Sequence, residues 1–165
     1  MGMIISGFPG IGKTTLQKNN SSVIDLESSD FKWIYQDSET ESMDKEKRKG
    51  TDNRIVSPLW PMNYVQEIIK KAKEYDIVLI SQNPEVRECL KENKCTYYVC
   101  FPKKECKQEY IERYRSRGNN EKFISLISEN FESWIEAAEK EDNKLIMEPG
   151  EYLEDTLKRY KQLNK

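Results

Sequence analysis

Short apolar runs alternate along the chain with longer segments whose apolar residues recur at helical spacing. Five runs have the length and the β-branched or aromatic content of buried strands. They cover residues 3–6, 23–26, 77–81, 96–101 and 144–147. Because these runs are continuously apolar, they are typical of a parallel sheet that is covered on both faces.

Helical patterns fill most of the intervals between these runs. They predict helices over residues 13–18, 62–75, 84–93, 103–117, 121–140 and 151–162. In the second of them, Val65, Ile68, Ile69 and Ala72 share one side, as in an amphipathic helix. The alternating order predicts an α/β fold, a three-layer sandwich around a mostly parallel five-stranded sheet.

A strongly charged segment breaks this alternation. Residues 36–53 have no apolar period and end in Gly50-Thr51-Asp52-Asn53. We expect a mobile or exposed segment at about 36–58 within a single domain, since 165 residues suit one hydrophobic core.

Composition narrows the possible partners and the compartment. The net charge of −2, from 27 basic and 29 acidic residues, lacks the positive excess of nucleic-acid binding proteins and disfavours nucleic acid as a partner. The chain has four cysteines without a C-x-x-C pair and no histidine, which predicts reduced thiols and no mixed zinc site. The first residues lead into a glycine loop and resemble neither a signal peptide nor a membrane span, so we expect a cytoplasmic protein.

The segment between the first strand and the first helix matches the nucleotide-binding pattern G-x-x-x-x-G-K-[ST]. It reads Gly7-Phe8-Pro9-Gly10-Ile11-Gly12-Lys13-Thr14. Glycines let the backbone approach phosphates, and successive amide protons at a helix N-terminus bind anions. The predicted nucleotide-binding residues are Pro9, Gly10, Ile11, Gly12, Lys13, Thr14 and Thr15. We expect Lys13 to bridge the β- and γ-phosphates and Thr14 to ligate Mg²⁺.

With Thr15 included, this loop resembles the G-x-P-G-x-G-K-x-T loop of adenylate kinase and its relatives. Three further stretches resemble a group of small phage and bacterial nucleotide kinase-like proteins. They are Ser28-Ser29 with Trp33, then Pro58-Leu59-Trp60-Pro61-Met62-Asn63-Tyr64, and Arg113-Tyr114-Arg115-Ser116-Arg117-Gly118. The resemblance covers nearly the whole chain, although only the loop is diagnostic by itself, and it implies a nucleoside monophosphate kinase.

The resemblance also implies roles for residues that follow the strands. Asp25, with Glu27, matches an acidic position that contacts Mg²⁺ or the acceptor, and the alternative is that these carboxylates cap the turn at residues 28–29. Arg87 matches an arginine that grips the acceptor phosphate, and the alternative is an exposed helix residue. Ser81 stands where relatives carry an acid, which places more of the metal binding on Asp25 or on waters.

Two other residues are candidates for acceptor binding. Arg54 lies where the charged segment meets a proline-rich stretch, within reach of an acceptor phosphate if that segment closes. Trp33, like Trp60 and Tyr64, is a candidate for stacking on a base, the alternative being a core position.

Three arginines precede Gly118 at the end of a predicted helix. Alternate residues do not share a helix face, so we expect two of them, Arg113 and Arg117, to act together. They are interpreted as catalytic residues of a short lid at about 113–122, where guanidinium groups stabilise a transferring phosphoryl group. Cations that favour a helix C-terminus are the plainer alternative.

Together these observations predict an ATP- and Mg²⁺-dependent kinase of nucleoside or deoxynucleoside monophosphates, with Lys13, Arg113 and Arg117 catalytic. We expect small-molecule nucleotide substrates, no membrane partner, and a monomer or homodimer, with the adenine near the turn at residues 148–150. A kinase of another small acceptor or of a polynucleotide 5′ end remains open, as does a nucleotide-binding switch or ATPase.

Overall fold

The computed structural model describes residues 1–36 and 53–163. Five parallel strands form one sheet. They are β1 (Met3–Gly7), β2 (Val23–Leu26), β5 (Ile77–Ser81), β6 (Tyr98–Pro102) and β7 (Lys144–Met147). Their order across the sheet is β2-β5-β1-β6-β7. Two short strands, β3 (Trp33–Tyr35) and β4 (Arg54–Val56), pair antiparallel in a separate small sheet.

Seven α-helices lie in the described part of the chain. They are α1 (Lys13–Asn19), α2 (Ser29–Lys32), α3 (Met62–Lys71), α4 (Pro84–Glu92), α5 (Lys107–Ser116), α6 (Glu121–Glu139) and α7 (Leu153–Leu163). A 3₁₀ turn at Lys104–Cys106 precedes α5. The helices flank the sheet, which is compatible with a three-layer sandwich. None of the described helices is both long enough and apolar enough to cross a lipid bilayer.

The sheet is buried on both faces. Successive residues of a strand point to opposite faces, and the neighbours Ile4 and Ile5 are only 1% and 0% exposed. Val78, Leu79 and Ile80 on the adjacent strand are also fully buried. This burial explains why the strands are continuously apolar, and it confirms the predicted parallel α/β sheet.

All five predicted sheet strands are present, with small shifts at their ends. The fourth begins at Tyr98 instead of Thr96, and the helix expected over 103–117 starts as a 3₁₀ turn. The sequence reasoning missed α2 and the β3–β4 pair. Most of the predicted mobile segment, residues 37–52, lies outside the described residues, while its described part includes β4.

The segment predicted as a lid, at about 113–122, consists of the end of α5, a turn and the start of α6. Gly118 has a left-handed φ of 78° in this turn, a conformation that suits glycine. The Asn120 side chain then caps α6 by accepting a hydrogen bond of 2.8 Å from the Phe123 N–H. The start of α6 is thereby fixed next to the end of α5.

Candidate functional site

A cavity of about 1200 Å³ opens at the carboxyl ends of β1, β2 and β5. Parallel strands place ligand sites at this edge of a sheet. Its wall includes most of the residues that the sequence predicted to be catalytic or to bind a nucleotide or a metal. These are Pro9, Gly10, Gly12, Lys13, Thr14, Thr15, Asp25, Arg113 and Arg117. Four predicted site residues do not line it, namely Ile11, Trp33, Arg54 and Arg87.

The connection from β1 to α1, residues 8–12, will be called the glycine loop. Gly10 and Gly12 have φ values of 88° and 96°, which non-glycine residues rarely adopt. A Cβ atom on Gly10 would lie 2.8 Å from Cε1 of Tyr114. Ile11 between them is fully buried, so its side chain anchors the loop in the core. Backbone conformation and close packing therefore both require glycine at position 10.

Three consecutive carbonyl groups of the glycine loop accept hydrogen bonds from groups outside it. The pairs are Pro9 O with the Tyr114 hydroxyl at 2.8 Å, Gly10 O with Arg113 Nη1 at 2.9 Å, and Ile11 O with the Leu153 N–H at 2.8 Å. In a trans peptide the next N–H points opposite to the carbonyl, so the amides of residues 10–12 point away from these donors.

The amide protons of this segment are available for hydrogen bonds with a ligand. Within residues 1–36 and 53–163, the N–H groups of residues 10–15 have no hydrogen-bond acceptor. Those of residues 13–15 belong to the first turn of α1, where the helix supplies no intrahelical acceptor and the dipole is positive. This arrangement is suited to a chain of phosphate oxygens.

The Lys13 ammonium group lies against the start of the loop. Its Nζ donates hydrogen bonds to the Gly7 carbonyl at 3.1 Å and to the Phe8 carbonyl at 3.5 Å. Burial lowers the pKa of Lys13 below 10.5, although the carboxylates of Asp25 and Glu27 act in the opposite direction. An anionic ligand beside this ammonium would offset the unfavourable burial of its charge.

Thr14 and Asp25 bring two oxygen atoms together beside the loop. The Thr14 hydroxyl donates to Asp25 Oδ2 at 3.4 Å, and the Gln17 side chain accepts a hydrogen bond from the Asp25 N–H. Hydroxyl and carboxylate oxygens suit Mg²⁺, which usually keeps several waters or phosphate oxygens as ligands. Among the described residues, no three His, Cys, Asp or Glu side chains gather as a complete metal site.

The wall near β2 and β5 is polar and acidic. Besides Asp25, it contains the side chains of Glu27, Ser29, Ser81 and Gln82. Within the described ranges, the basic residues on the whole cavity wall are Lys13, Arg113 and Arg117. None of these three residues lies on β2 or β5 or in the turns directly after these strands.

The two predicted lid arginines differ in their surroundings. The Arg113 side chain is only 9% exposed, and its guanidinium group contacts the Gly10 and Glu151 carbonyls and the Glu109 carboxylate. Arg117 is exposed, and within the described residues its guanidinium group forms no hydrogen bond or ion pair. Arg117 therefore has all of its donors available for a ligand, whereas Arg113 already uses three of its five N–H groups.

Trp33 and Arg54 lie together, but in the small sheet. The guanidinium carbon of Arg54 is 3.9 Å from the centre of the Trp33 ring, in a cation–π contact across β3 and β4. Both residues are half-buried. Their position shows that the two predicted acceptor residues are neighbours, without placing either in the cavity wall.

Arg87 lies in a buried ion-pair network on α4. Its Nε is 2.9 Å from Oε1 of Glu141, with side-chain exposures of 9% and 11%. Glu141 also accepts a hydrogen bond from the Tyr97 hydroxyl at 2.8 Å and pairs with Lys91 at 3.2 Å. The position of Arg87 differs from both interpretations made from the sequence, because its side chain is neither exposed nor on the cavity wall.

Of the remaining aromatic candidates, Tyr64 is fully buried and its hydroxyl donates to the Leu26 carbonyl at 2.6 Å. Burial raises its pKa above the ordinary value of 10, so it remains a neutral hydrogen-bond donor. Trp60 stacks on Tyr64 with the ring centres 5.5 Å apart. Tyr64 therefore ties β2 to α3 as a core residue.

Several cavity residues were missed from sequence. Tyr152, Glu109 and Glu112 line the cavity, and Tyr152 is 50% exposed with its ring 3.9 Å from the Arg113 guanidinium carbon. The position of Tyr152 just after β7 was an available signal, since residues there reach the carboxyl edge of the sheet. The two glutamates lie on a charged helix face, and no sequence pattern distinguishes them from solvated residues.

In comparisons with known proteins, the chain matches no family model, and no curated protein is significantly similar to it.

Proposed function

We propose that the protein is a P-loop phosphotransferase that binds Mg²⁺·ATP on residues 10–15 and transfers the γ-phosphoryl group to a small nucleotide acceptor. The observation that carries the proposal is the glycine loop, whose three anchored carbonyls leave the following amides free for phosphate oxygens. The resemblance of the loop to that of the nucleoside monophosphate kinases supports the same assignment.

The residues around the loop fit the needs of phosphoryl transfer, which depends mainly on positioning and on neutralising charge. The amides of residues 10–15 and the Lys13 ammonium would hold the β- and γ-phosphates. Thr14 and Asp25 would hold Mg²⁺, which when bound neutralises charge on the β- and γ-phosphate oxygens. Arg117, exposed on the same wall, would meet the charge on the transferring group.

The acceptor would lie beside Asp25, Ser29, Ser81 and Gln82, at the ends of β2 and β5. A nucleoside monophosphate is the first candidate, on the strength of the resemblance. Trp33 and Arg54 remain predicted acceptor ligands, although neither lines the cavity.

A second candidate is favoured by the chemistry of this wall. Its described side chains are carboxylates, hydroxyls and an amide, which are suited to hydrogen bonding with acceptor hydroxyls. An acceptor phosphate would be expected to meet arginines, and Arg87 is instead paired with Glu141. Phosphorylation of a hydroxyl on a nucleoside or at a polynucleotide 5′ end fits this wall.

The test is ADP release from Mg²⁺·ATP with each ribo- and deoxyribonucleoside monophosphate, each nucleoside, and a 5′-hydroxyl oligonucleotide. Stimulation by a monophosphate would support the first candidate, and stimulation only by hydroxyl acceptors would support the second. ATP turnover that no acceptor changes would refute the kinase and leave a nucleotide-binding switch or ATPase. If calorimetry detected no binding of Mg²⁺·ATP, the nucleotide site itself would be wrong.

A further inference from the structure

Arg113 is built into the support of the glycine loop. Its Nη1 donates to Gly10 O at 2.9 Å, while Nη2 lies 2.7 Å from Glu151 O and 3.2 Å from Glu109 Oε2. A guanidinium group has five N–H donors in a fixed plane, and these contacts occupy both of its terminal nitrogens. The group therefore joins the loop to the turn that follows β7.

Aromatic rings and a carboxylate hold this guanidinium group in place. Its carbon is 4.4 Å from the centre of the Tyr110 ring and 3.9 Å from that of Tyr152, so it contacts two π systems. Glu109 compensates its charge and also accepts a hydrogen bond of 2.7 Å from the Gly150 N–H. Turning Arg113 toward a phosphate would break all these contacts.

The neighbouring anchors act on the same stretch of backbone. The Tyr114 hydroxyl holds Pro9 O, and the Leu153 N–H holds Ile11 O. Rotating any of these peptide planes would turn an amide away from the phosphates, and glycine at positions 10 and 12 makes such rotation easy. Fixed external donors on three successive carbonyls oppose that rotation.

Building on the proposed nucleotide site, we infer that the two lid arginines have separate roles. Arg113 is a positioning residue that, with Tyr114, holds the loop amides toward the phosphate chain. Arg117 is the arginine that meets the γ-phosphate. Loss of Arg113 therefore weakens every ligand that uses the loop, whereas loss of Arg117 affects the transfer of the γ-phosphoryl group.

The test compares the affinities of ADP and of a non-hydrolysable ATP analogue, measured calorimetrically with Mg²⁺ well below the unfolding temperature. For Arg113→Met we expect both ligands to weaken by the same factor, about 10- to 100-fold. Arg113→Lys retains the charge and a single donor nitrogen, and should recover part of this loss. Tyr114→Phe removes one hydroxyl and should weaken both ligands about 3- to 10-fold.

Arg117→Met should leave ADP affinity within about twofold, while the transfer rate falls by about 1,000-fold. The matched control is Arg115→Met at the end of α5. Its exposed side chain pairs, within the described residues, with Glu112 at 3.1 Å and should change neither quantity. Thermal unfolding of each variant checks that it is folded.

Three results would overturn the inference. In the first, Arg113→Met weakens the ATP analogue but not ADP, which would make Arg113 a γ-phosphate ligand. In the second, Arg113→Met and Tyr114→Phe bind both ligands normally, which would leave the anchors a purely structural role. In the third, Arg117→Met transfers at the wild-type rate. If the wild-type protein binds neither ligand, the proposed function fails instead.

Discussion

Replacing Lys13 with methionine should separate the stability of the fold from its capacity to bind a nucleotide. Methionine keeps an unbranched apolar side chain of similar length but removes the ammonium group. In the wild type that group donates to the Gly7 and Phe8 carbonyls at 3.1 and 3.5 Å, and burial lowers its pKa below 10.5. A lowered lysine pKa means that the fold disfavours the charged form.

The sign of the pH effect follows from proton binding. Between its lowered pKa and 10.5, Lys13 holds fewer protons in the folded protein than in the unfolded chain. The wild-type free energy of unfolding therefore rises with pH across this window, relative to that of Lys13→Met. Below the window the charged lysine destabilises the fold, so the variant without ligand should unfold at the same temperature as the wild type or higher.

In the presence of ATP, the variant should instead gain less stability than the wild type. ATP at 100 times its dissociation constant stabilises a folded protein by about 2.7 kcal/mol, a shift of roughly 5–10 °C for a chain of this size. Losing charge-assisted contacts with the phosphates should weaken binding by about 100-fold. At the same ATP concentration the variant would then gain only about 0.4 kcal/mol, or about 1 °C.

Thermal unfolding with and without Mg²⁺·ATP measures the ligand effect, and urea unfolding from pH 7 to 9.5 measures the pH effect. The matched control is Lys18→Met, which removes an exposed lysine of the same helix and should behave as the wild type. An undiminished ATP shift in Lys13→Met would refute the role of Lys13 in binding. A variant that unfolds well below the wild type without ligand would refute the argument from burial.

Two further predictions concern stability and the acceptor site. Gly10→Ala places a methyl group 2.8 Å from the Tyr114 ring at a φ of 88°, and should lower the free energy of unfolding by about 1–3 kcal/mol and impair ATP binding. Gly118→Ala, at a φ of 78° with nothing within 4 Å, should lose stability without losing ATP binding. Urea unfolding measures the stability and calorimetry the ATP binding of both variants, and an equal loss of ATP affinity in the two would contradict this. Arg87→Met leaves Glu141 without its nearest cation and should cost about 3 kcal/mol of stability with the acceptor KM unchanged. A raised acceptor KM in a variant of wild-type stability would instead restore Arg87 to the acceptor site.

The strands and the glycine loop could be predicted because their signals are local. Burial on both faces leaves a continuous apolar run, as in Val78-Leu79-Ile80, and this run is visible without knowing the neighbours. The loop requires glycine at positions 10 and 12 because of their left-handed backbone conformation, and this requirement is set within a few residues. Thr14 and Asp25 were likewise placed by their positions next to strands and helices.

The roles of the arginines could not be read from the sequence. Arg113 lies in α5 and Arg117 directly follows it, yet Arg113 contacts Gly10 and Glu151, which are distant in sequence. The resemblance predicted that Arg87 binds an acceptor phosphate. Its observed partner, Glu141, is 54 residues away, so no local pattern could reveal this ion pair. What a charged side chain does depends on which groups the fold brings beside it.

The sequence by itself determined the alternation of strands and helices, the parallel sheet and the glycines of the loop, since each follows from local pattern and spacing. The tertiary structure decided which donors hold the loop carbonyls, which arginine is exposed to the cavity, and that the wall beyond Asp25 is acidic and polar. The anchors of the loop arise from contacts with α5 and the turn after β7, and the wall arises because the ends of β2 and β5 lie side by side. No local pattern in the chain encodes those contacts.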